Sequence, residues 1–116
     1  MSVVLVIVAA LLGIAAAGSA VQKLRRAPMV VETMHSVGVP DRMIPVLAVL
    51  ELAGAAGLLV GIWLPALGVA AAAGLTLYFL GAAIAHARTK APAKDALPAV
   101  ALLILSVVTL ILEVLR

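Results

Sequence analysis

The sequence predicts an all-α membrane protein: a four-transmembrane-helix bundle with a short amphipathic interfacial helix between helices 1 and 2. Three observations predict it. The chain of 116 residues is 66% hydrophobic and 11% charged, against roughly 45–50% and about 25% in soluble domains. Its apolar residues fall in four long runs of about 20 residues, each long enough as a helix to cross about 30 Å of hydrocarbon. Its basic residues collect in two of the segments between those runs. A water-soluble domain of this size has too little interior to hide so much apolar surface. Only helices and closed barrels satisfy their backbone in lipid, and runs without two-residue alternation are helices. The whole chain, 1–116, forms one transmembrane domain.

The first helix covers about residues 2–22 and carries no charge. Met1 and Ser2 alone precede its apolar core, with no basic segment, so it reads as a retained span and not a cleaved signal peptide. A short helix over about 28–37 follows. Pro28 suits the first helical position, and Gly38 is a natural stop before Pro40. Val30, Val31, Met34 and Val37 share one face of it, while Glu32, His35 and Ser36 share the other, the pattern of a helix lying in the interface. A helix this short needs lipid or the bundle to hold it. The second span covers about 43–64, with Asp41 placed to cap it, Pro45 in its first turn and Glu51 inside it. The third covers about 65–86. A polar connector from Arg88 to Asp95, containing Pro92, leads to the fourth, about 96–115, with Pro98 in its first turn and Glu113 near its end.

The loops give an orientation. Lys23, Arg25, Arg26 and Arg42 lie between helices 1 and 2, and Arg88, Lys90 and Lys94 between helices 3 and 4. These are seven of the eight basic residues. Both loops share one side of a four-helix chain, and the positive-inside rule makes that side cytoplasmic, with both termini outside. The expected location is the bacterial inner (plasma) membrane. The positive net charge follows this topology and implies no nucleic acid. The absence of cysteine excludes thiol catalysis, Cys-ligated zinc and iron–sulfur clusters from this chain.

Small residues mark where membrane helices approach closely. Helix 1 carries Ala9, Gly13, Ala16, Ala17 and Ala20. Helix 2 carries Gly54, Gly57 and Gly61, and helix 3 carries Gly68, Gly74 and Gly81. Helix 4 is mostly Leu, Ile and Val from 102 to 112. The expectation is that helices 1–3 form a tight core and helix 4 faces lipid or a partner.

Several pieces in order resemble the DoxX-like family of four-helix membrane proteins over nearly the whole length. They are Lys23-Leu24 after helix 1, SVGVP at 36–40, ELAGAAGLLVGIWLP at 51–65, and AAIAHAR at 82–88. Ala20, with Gly18 close by, stands where the family pattern has a glycine before the lysine. The family takes its name from a subunit of a membrane thiosulfate:quinone oxidoreductase, and other members are described as membrane components of oxidoreductase assemblies linked to oxidative stress. The resemblance therefore implies association with redox complexes more than a reaction of the chain's own.

Glu51 is the sharpest chemical feature. An ionised group near mid-membrane costs roughly 2.5–3.5 kcal/mol on insertion scales and takes a partner or a wet cavity. Two readings stand side by side: a proton-binding or ligand-polarising carboxylate, and a structural carboxylate paired across helices. Lys23, at the end of helix 1, and His86, at the end of helix 3, fall at similar depth. A polar cluster of Glu51 and His86 with Lys23 or Arg25 would bind a quinone headgroup, a small polar ligand or a proton. The alternative for Lys23, Arg88 and His86 is anchoring at the headgroups. His35 reads as a solvated histidine, Glu113 as an interfacial group, and Arg25, Arg26, Lys90 and Lys94 as topology signals. No metal-ligand set, nucleotide loop or nucleophile triad is present in the sequence. A haem held by His35 and His86 would have to draw on two different kinds of element.

Three functions follow. The first is an accessory or anchoring subunit of a membrane oxidoreductase complex, embedded in lipid with other membrane subunits or further copies of itself, contributing to a quinone or lipid site near Glu51. The second is a small dimeric proton-coupled transporter of the multidrug-resistance type. Against it, Glu51 lies in the second helix and not the first, and Trp63, Tyr78 and Phe79 are the sole aromatic residues. The third is a purely structural membrane protein.

Overall fold

The structure, a computed structural model, describes residues 3–89 and 93–116. Met1, Ser2, Lys90 and Pro92 lie outside the described residues, as do the side chains of Lys94 and Asp95. Five α-helices are described: α1 (Val3–Leu24), α2 (Pro28–Ser36), α3 (Ile44–Val60), α4 (Pro65–Arg88) and α5 (Ala93–Leu115), with a 3-10 turn at Asp41–Met43 leading into α3. All but α2 are long and apolar enough to span a membrane, α3 together with its 3-10 turn. Large apolar side chains such as Val3, Ile14, Leu59, Leu77 and Ile104 point outward, where lipid is their solvent. The inside holds small and polar residues together with a few large apolar ones, Leu12, Leu58, Leu75 and Phe79 among them.

Each span buries one stripe at helical spacing. On α1 it is Leu5, Ala9, Leu12, Ala16, Ala20 and Lys23. On α3 it is Ile44, Ala48, Glu51 and Leu58, and on α4 it is Gly68, Ala72, Leu75, Phe79 and His86. On α5 it is Ala99, Ser106, Thr109 and Glu113. The Ser106 and Thr109 hydroxyls donate to the carbonyls of Leu102 and Leu105 at 2.7 and 2.8 Å, so these polar groups need no partner helix.

The spans form a closed ring in the order α1, α3, α4, α5, with α5 packed on both α4 and α1. The buried core cluster comes from α1, α3 and α4, as expected, and α5 is the least buried of the spans, but it does not stand apart. It closes the bundle, and its Leu102, Leu103, Leu105 and Leu110 pack on the core. The bulk that reads as lipid-facing in sequence also fills the space between α4 and α1.

Glycines set the register of α3 on α4. A Cβ at Gly54 would stand 2.5 Å from Leu75 Cδ2, and one at Gly57 2.8 Å from the Ala71 Cβ. One at Gly61 would collide with the Gly68 backbone. As numbers rise on α3 they fall on α4, so the two run antiparallel with backbones nearly touching at Gly61. Gly13 faces the Ala55 carbonyl of α3 across 4.0 Å. Gly74 and Gly81 do not pack: both are exposed, with nothing within 4 Å of an added Cβ. They lie off the stripe that runs through Ala72, Leu75 and Phe79, which corrects their assignment as packing glycines.

The loop between α1 and α3 is held by two similar helix endings. α1 ends with Arg26 at φ 54°, Ala27 N–H donating to the Gln22 carbonyl at 3.2 Å and Arg26 N–H to that of Lys23 at 3.1 Å. α2 starts on Pro28 and ends with Gly38 at φ 86°. There Val39 N–H donates to Met34 at 2.9 Å and Gly38 N–H to His35 at 3.1 Å. This left-handed Schellman ending satisfies the last carbonyls of α2. Asp41 does not cap α3. Its carboxylate turns back to Arg26 at 2.9 Å and His35 at 2.5 Å, tying together the two ends of α2.

Candidate functional site

The inner stripes of α1 and α3 face each other, and each carries one charge. Lys23 extends the stripe Leu12, Ala16, Ala20 by one turn, and Glu51 extends Ile44, Ala48. Antiparallel packing brings the two level. Lys23 Nζ donates to Glu51 Oε1 at 2.6 Å and to Ser19 Oγ, one turn back on α1, at 2.8 Å. The Ser19 hydroxyl donates in turn to Glu51 Oε1 at 3.4 Å. The two side chains are 8% and 0% exposed. Glu51 is shut off from water and Lys23 nearly so, and their pairing offsets the cost of holding them in the bundle. Glu51 Oε2 is buried and accepts no hydrogen bond from the described residues.

Next to this pair a cavity of about 590 Å³ opens between α2 and the ends of α1, α4 and α5. Its walls are mostly apolar, with Met34, Val37 and Leu102 among them, and its polar lining includes Lys23, Tyr78 and His86. The amphipathic α2 thus turns its apolar side to a cavity at the bundle's end. Tyr78 packs edge-on against Phe79, ring centroids 5.1 Å apart. Its ring lies 6.0 Å from Lys23 Nζ, and its phenol stands within electrostatic reach of Glu51. His86 is 5% exposed. Its Nδ1 bonds the Ala82 carbonyl, one turn back, at 2.8 Å, and its Nε2 has no partner.

The structure therefore brings Lys23 and Glu51 into contact and sets His86 on the wall that Lys23 shares. No hydrogen bond or ion pair joins His86 to Glu51 among the described residues. Arg25 and Arg88 are exposed at the same end and stand apart from the pair. Both fall off the buried stripes, Arg25 beyond the end of α1 and Arg88 in the last turn of α4. His35 is exposed and paired with Asp41.

Two features escape a reading of the sequence. Ser19 and Tyr78 join the Lys23–Glu51 group, and their signal is spacing: Ser19 is four residues before Lys23, and Tyr78 adjoins the buried stripe of α4. The second feature is at the opposite end. Glu113 is no interfacial group: it is 3% exposed and seated on Gly68, where a Cβ would meet its carboxylate at 2.5 Å. Arg116 Nε pairs with it at 3.0 Å. The same guanidinium donates to the carbonyls of Gly61 and Ile62 at the α3–α4 turn. The absence of a side chain at Gly68 makes room for the acid.

The fold and site define a class: a small multi-pass membrane protein of four spans that buries a lysine–glutamate pair beside a cavity under a short surface helix. Within that class the family is identifiable. The DoxX-like family pattern matches residues 7–109, and the chain belongs to that family. No curated protein and no solved structure matches it.

Proposed function

We propose that this protein is an accessory membrane subunit of an oxidoreductase assembly that binds a small, ring-bearing apolar ligand of the quinone type. The ligand occupies the cavity beneath α2. The observation that carries the reading is the cavity itself: about 590 Å³, largely apolar, with a buried and unpartnered His86 nitrogen on its wall. Small-molecule sites have this volume and this ratio of apolar wall to a few polar groups. Glu51 is not part of the wall. Its role is to hold Lys23, whose third N–H remains free for a ligand oxygen. The quinone fits these residues: the walls suit its ring and tail, and Lys23 suits a carbonyl. The transporter reading requires the acid to meet substrate, and Glu51 is fully buried and absent from the cavity wall.

On the positive-inside rule, the exposed Arg25, Arg26, Arg42 and Arg88 support a cytoplasmic orientation for the cavity end, in keeping with the bacterial inner membrane expected for the chain. The test is native mass spectrometry of the protein in mild detergent, with added decylubiquinone. Binding by the wild type is expected, with loss in Ala85→Phe, which fills the cavity without altering its polar groups. Migration of the wild type within a larger membrane complex is expected in the same detergent. No binding, or binding indifferent to the filled cavity, would refute the ligand site. Migration as a lone chain would refute the subunit role.

A further inference from the structure

We infer that the cavity is built to accept a hydrogen-bond donor at His86, so that it selects the reduced, hydroxyl-bearing form of its ring ligand over the oxidised form. The inference rests on the ligand site proposed above and gives it a polarity.

The argument begins with the His86 ring. Its Nδ1 lies 2.8 Å from the Ala82 carbonyl oxygen. A carbonyl only accepts, so Nδ1 carries the proton. In a neutral imidazole the other nitrogen then holds a lone pair. That nitrogen, Nε2, is buried and unpartnered, and the ring lines the cavity at 5% exposure. A doubly protonated ring would be a buried cation with no acid paired to it among the described residues: the ion pair of Glu51 is with Lys23, and none joins it to His86. Burying an unpaired charge is far costlier than burying a neutral acceptor. His86 therefore presents a lone pair to whatever fills the cavity.

Lys23 presents the opposite. Two of its three N–H groups go to Glu51 and Ser19, and the third is left as a donor. A quinone offers carbonyl oxygens alone. It can answer Lys23, and it leaves His86 unsatisfied against a second lone pair. A quinol offers hydroxyls, each both donor and acceptor, and can answer either residue. A buried acceptor left unpaired costs enough to change affinity by about tenfold or more.

The experiment measures binding of decylubiquinol, kept reduced without oxygen, and of decylubiquinone to the protein in nanodiscs. The quinol is expected to bind about tenfold tighter. In His86→Leu the preference should fall to about twofold or less while quinone binding persists, because an apolar wall has no lone pair to satisfy. Equal binding of the two forms to the wild type would overturn the inference and leave the ligand site standing. A preference for the quinone, or a quinol preference that survives His86→Leu, would do the same. Binding of neither form would overturn the ligand site, and the inference with it. A readout independent of that variant's folding is ¹⁵N NMR of His86 in a His35→Gln background, which leaves a single histidine. A bare Nε2 and a protonated Nδ1 are expected, with the Nε2 resonance moving on addition of quinol. A protonated Nε2 would overturn the inference outright.

Discussion

A double-mutant cycle on Lys23 and Glu51 tests the central interaction directly. The Nζ–Oε1 separation is 2.6 Å. At an effective dielectric of about 20 this corresponds to an attraction of about 6 kcal/mol, set against the cost of drying both charges. Glu51→Gln leaves the ammonium buried without a counter-charge, and Lys23→Met does the same to the carboxylate. Either loss of one partner is expected to cost about 3–5 kcal/mol. The double variant has no charge to leave unpaired and is expected to lose no more than about 2 kcal/mol, since replacing a buried pair by neutral groups of similar size is often nearly neutral. The coupling energy is then at least about 4 kcal/mol. A neutral hydrogen bond between membrane helices averages about 0.6 kcal/mol, so the cycle separates a charge pair from a simple polar contact. Equilibrium unfolding in mixed micelles with increasing dodecyl sulfate, followed by far-UV circular dichroism, gives the four stabilities. If the single losses add to the double within about 0.5 kcal/mol, the residues are independent, and the placement of Lys23 against Glu51 is wrong.

Two further predictions use the same assay. Gly68→Ala and Gly61→Ala should each destabilise by about 1–3 kcal/mol or more through overpacking, because the new methyl meets Glu113 or the facing backbone. Gly74→Ala should instead be neutral or stabilise by up to about 1 kcal/mol, its site being open; an equal loss at all three positions would contradict the α3–α4 register. Arg26→Gly should stabilise by about 1 kcal/mol, since it relieves a left-handed backbone at a non-glycine residue and gives up an exposed ion pair that contributes little. A clear loss of stability would mean that the link from Arg26 to Asp41 matters more than the backbone.

The spans and the surface helix were legible because lipid imposes simple demands on a sequence. Length, apolarity and the stops at Gly38 and Pro40 leave little choice of element. The pairing of Lys23 with Glu51 was legible in part. Depth along the helices put them level, but Arg25 was an equal alternative until the stripe through Ala16 and Ala20 singled out Lys23. The function of the glycines was harder to read. Gly61 and Gly74 look alike in sequence, and what separates them is the helix face, fixed only once Leu75 and Ala71 are seen across from Gly54 and Gly57. The role of α5 was legible only in part, because Leu and Ile serve equally against lipid and against helices, so composition shows the least buried span but not the face by which it joins the bundle. Glu113 was misread for a related reason. Its seat is an absent side chain at Gly68, on a helix far away in sequence.

The bundle holds a charge pair at each end, and the difference between them supports the site proposed above. At the end with the α3–α4 turn, Glu113 sits on Gly68 while Arg116 spends its donors on the carboxylate and on the carbonyls of Gly61 and Ile62. Neither residue lines a described cavity. That arrangement clamps the end of α5 to the turn through the Glu113–Arg116 ion pair and the turn carbonyls, and substitutions there should be felt as stability. At the other end Lys23 is held by Glu51 and Ser19 yet lines a cavity with one donor unspent, and His86 on the same wall has an acceptor unspent. A bundle that needed only to be held together would gain by closing this end in the same way. It keeps an opposed donor and acceptor in an apolar cavity under a helix tied at both ends to Asp41, and that combination favours the proposed ligand, with its polar ring and apolar tail, over a purely structural role.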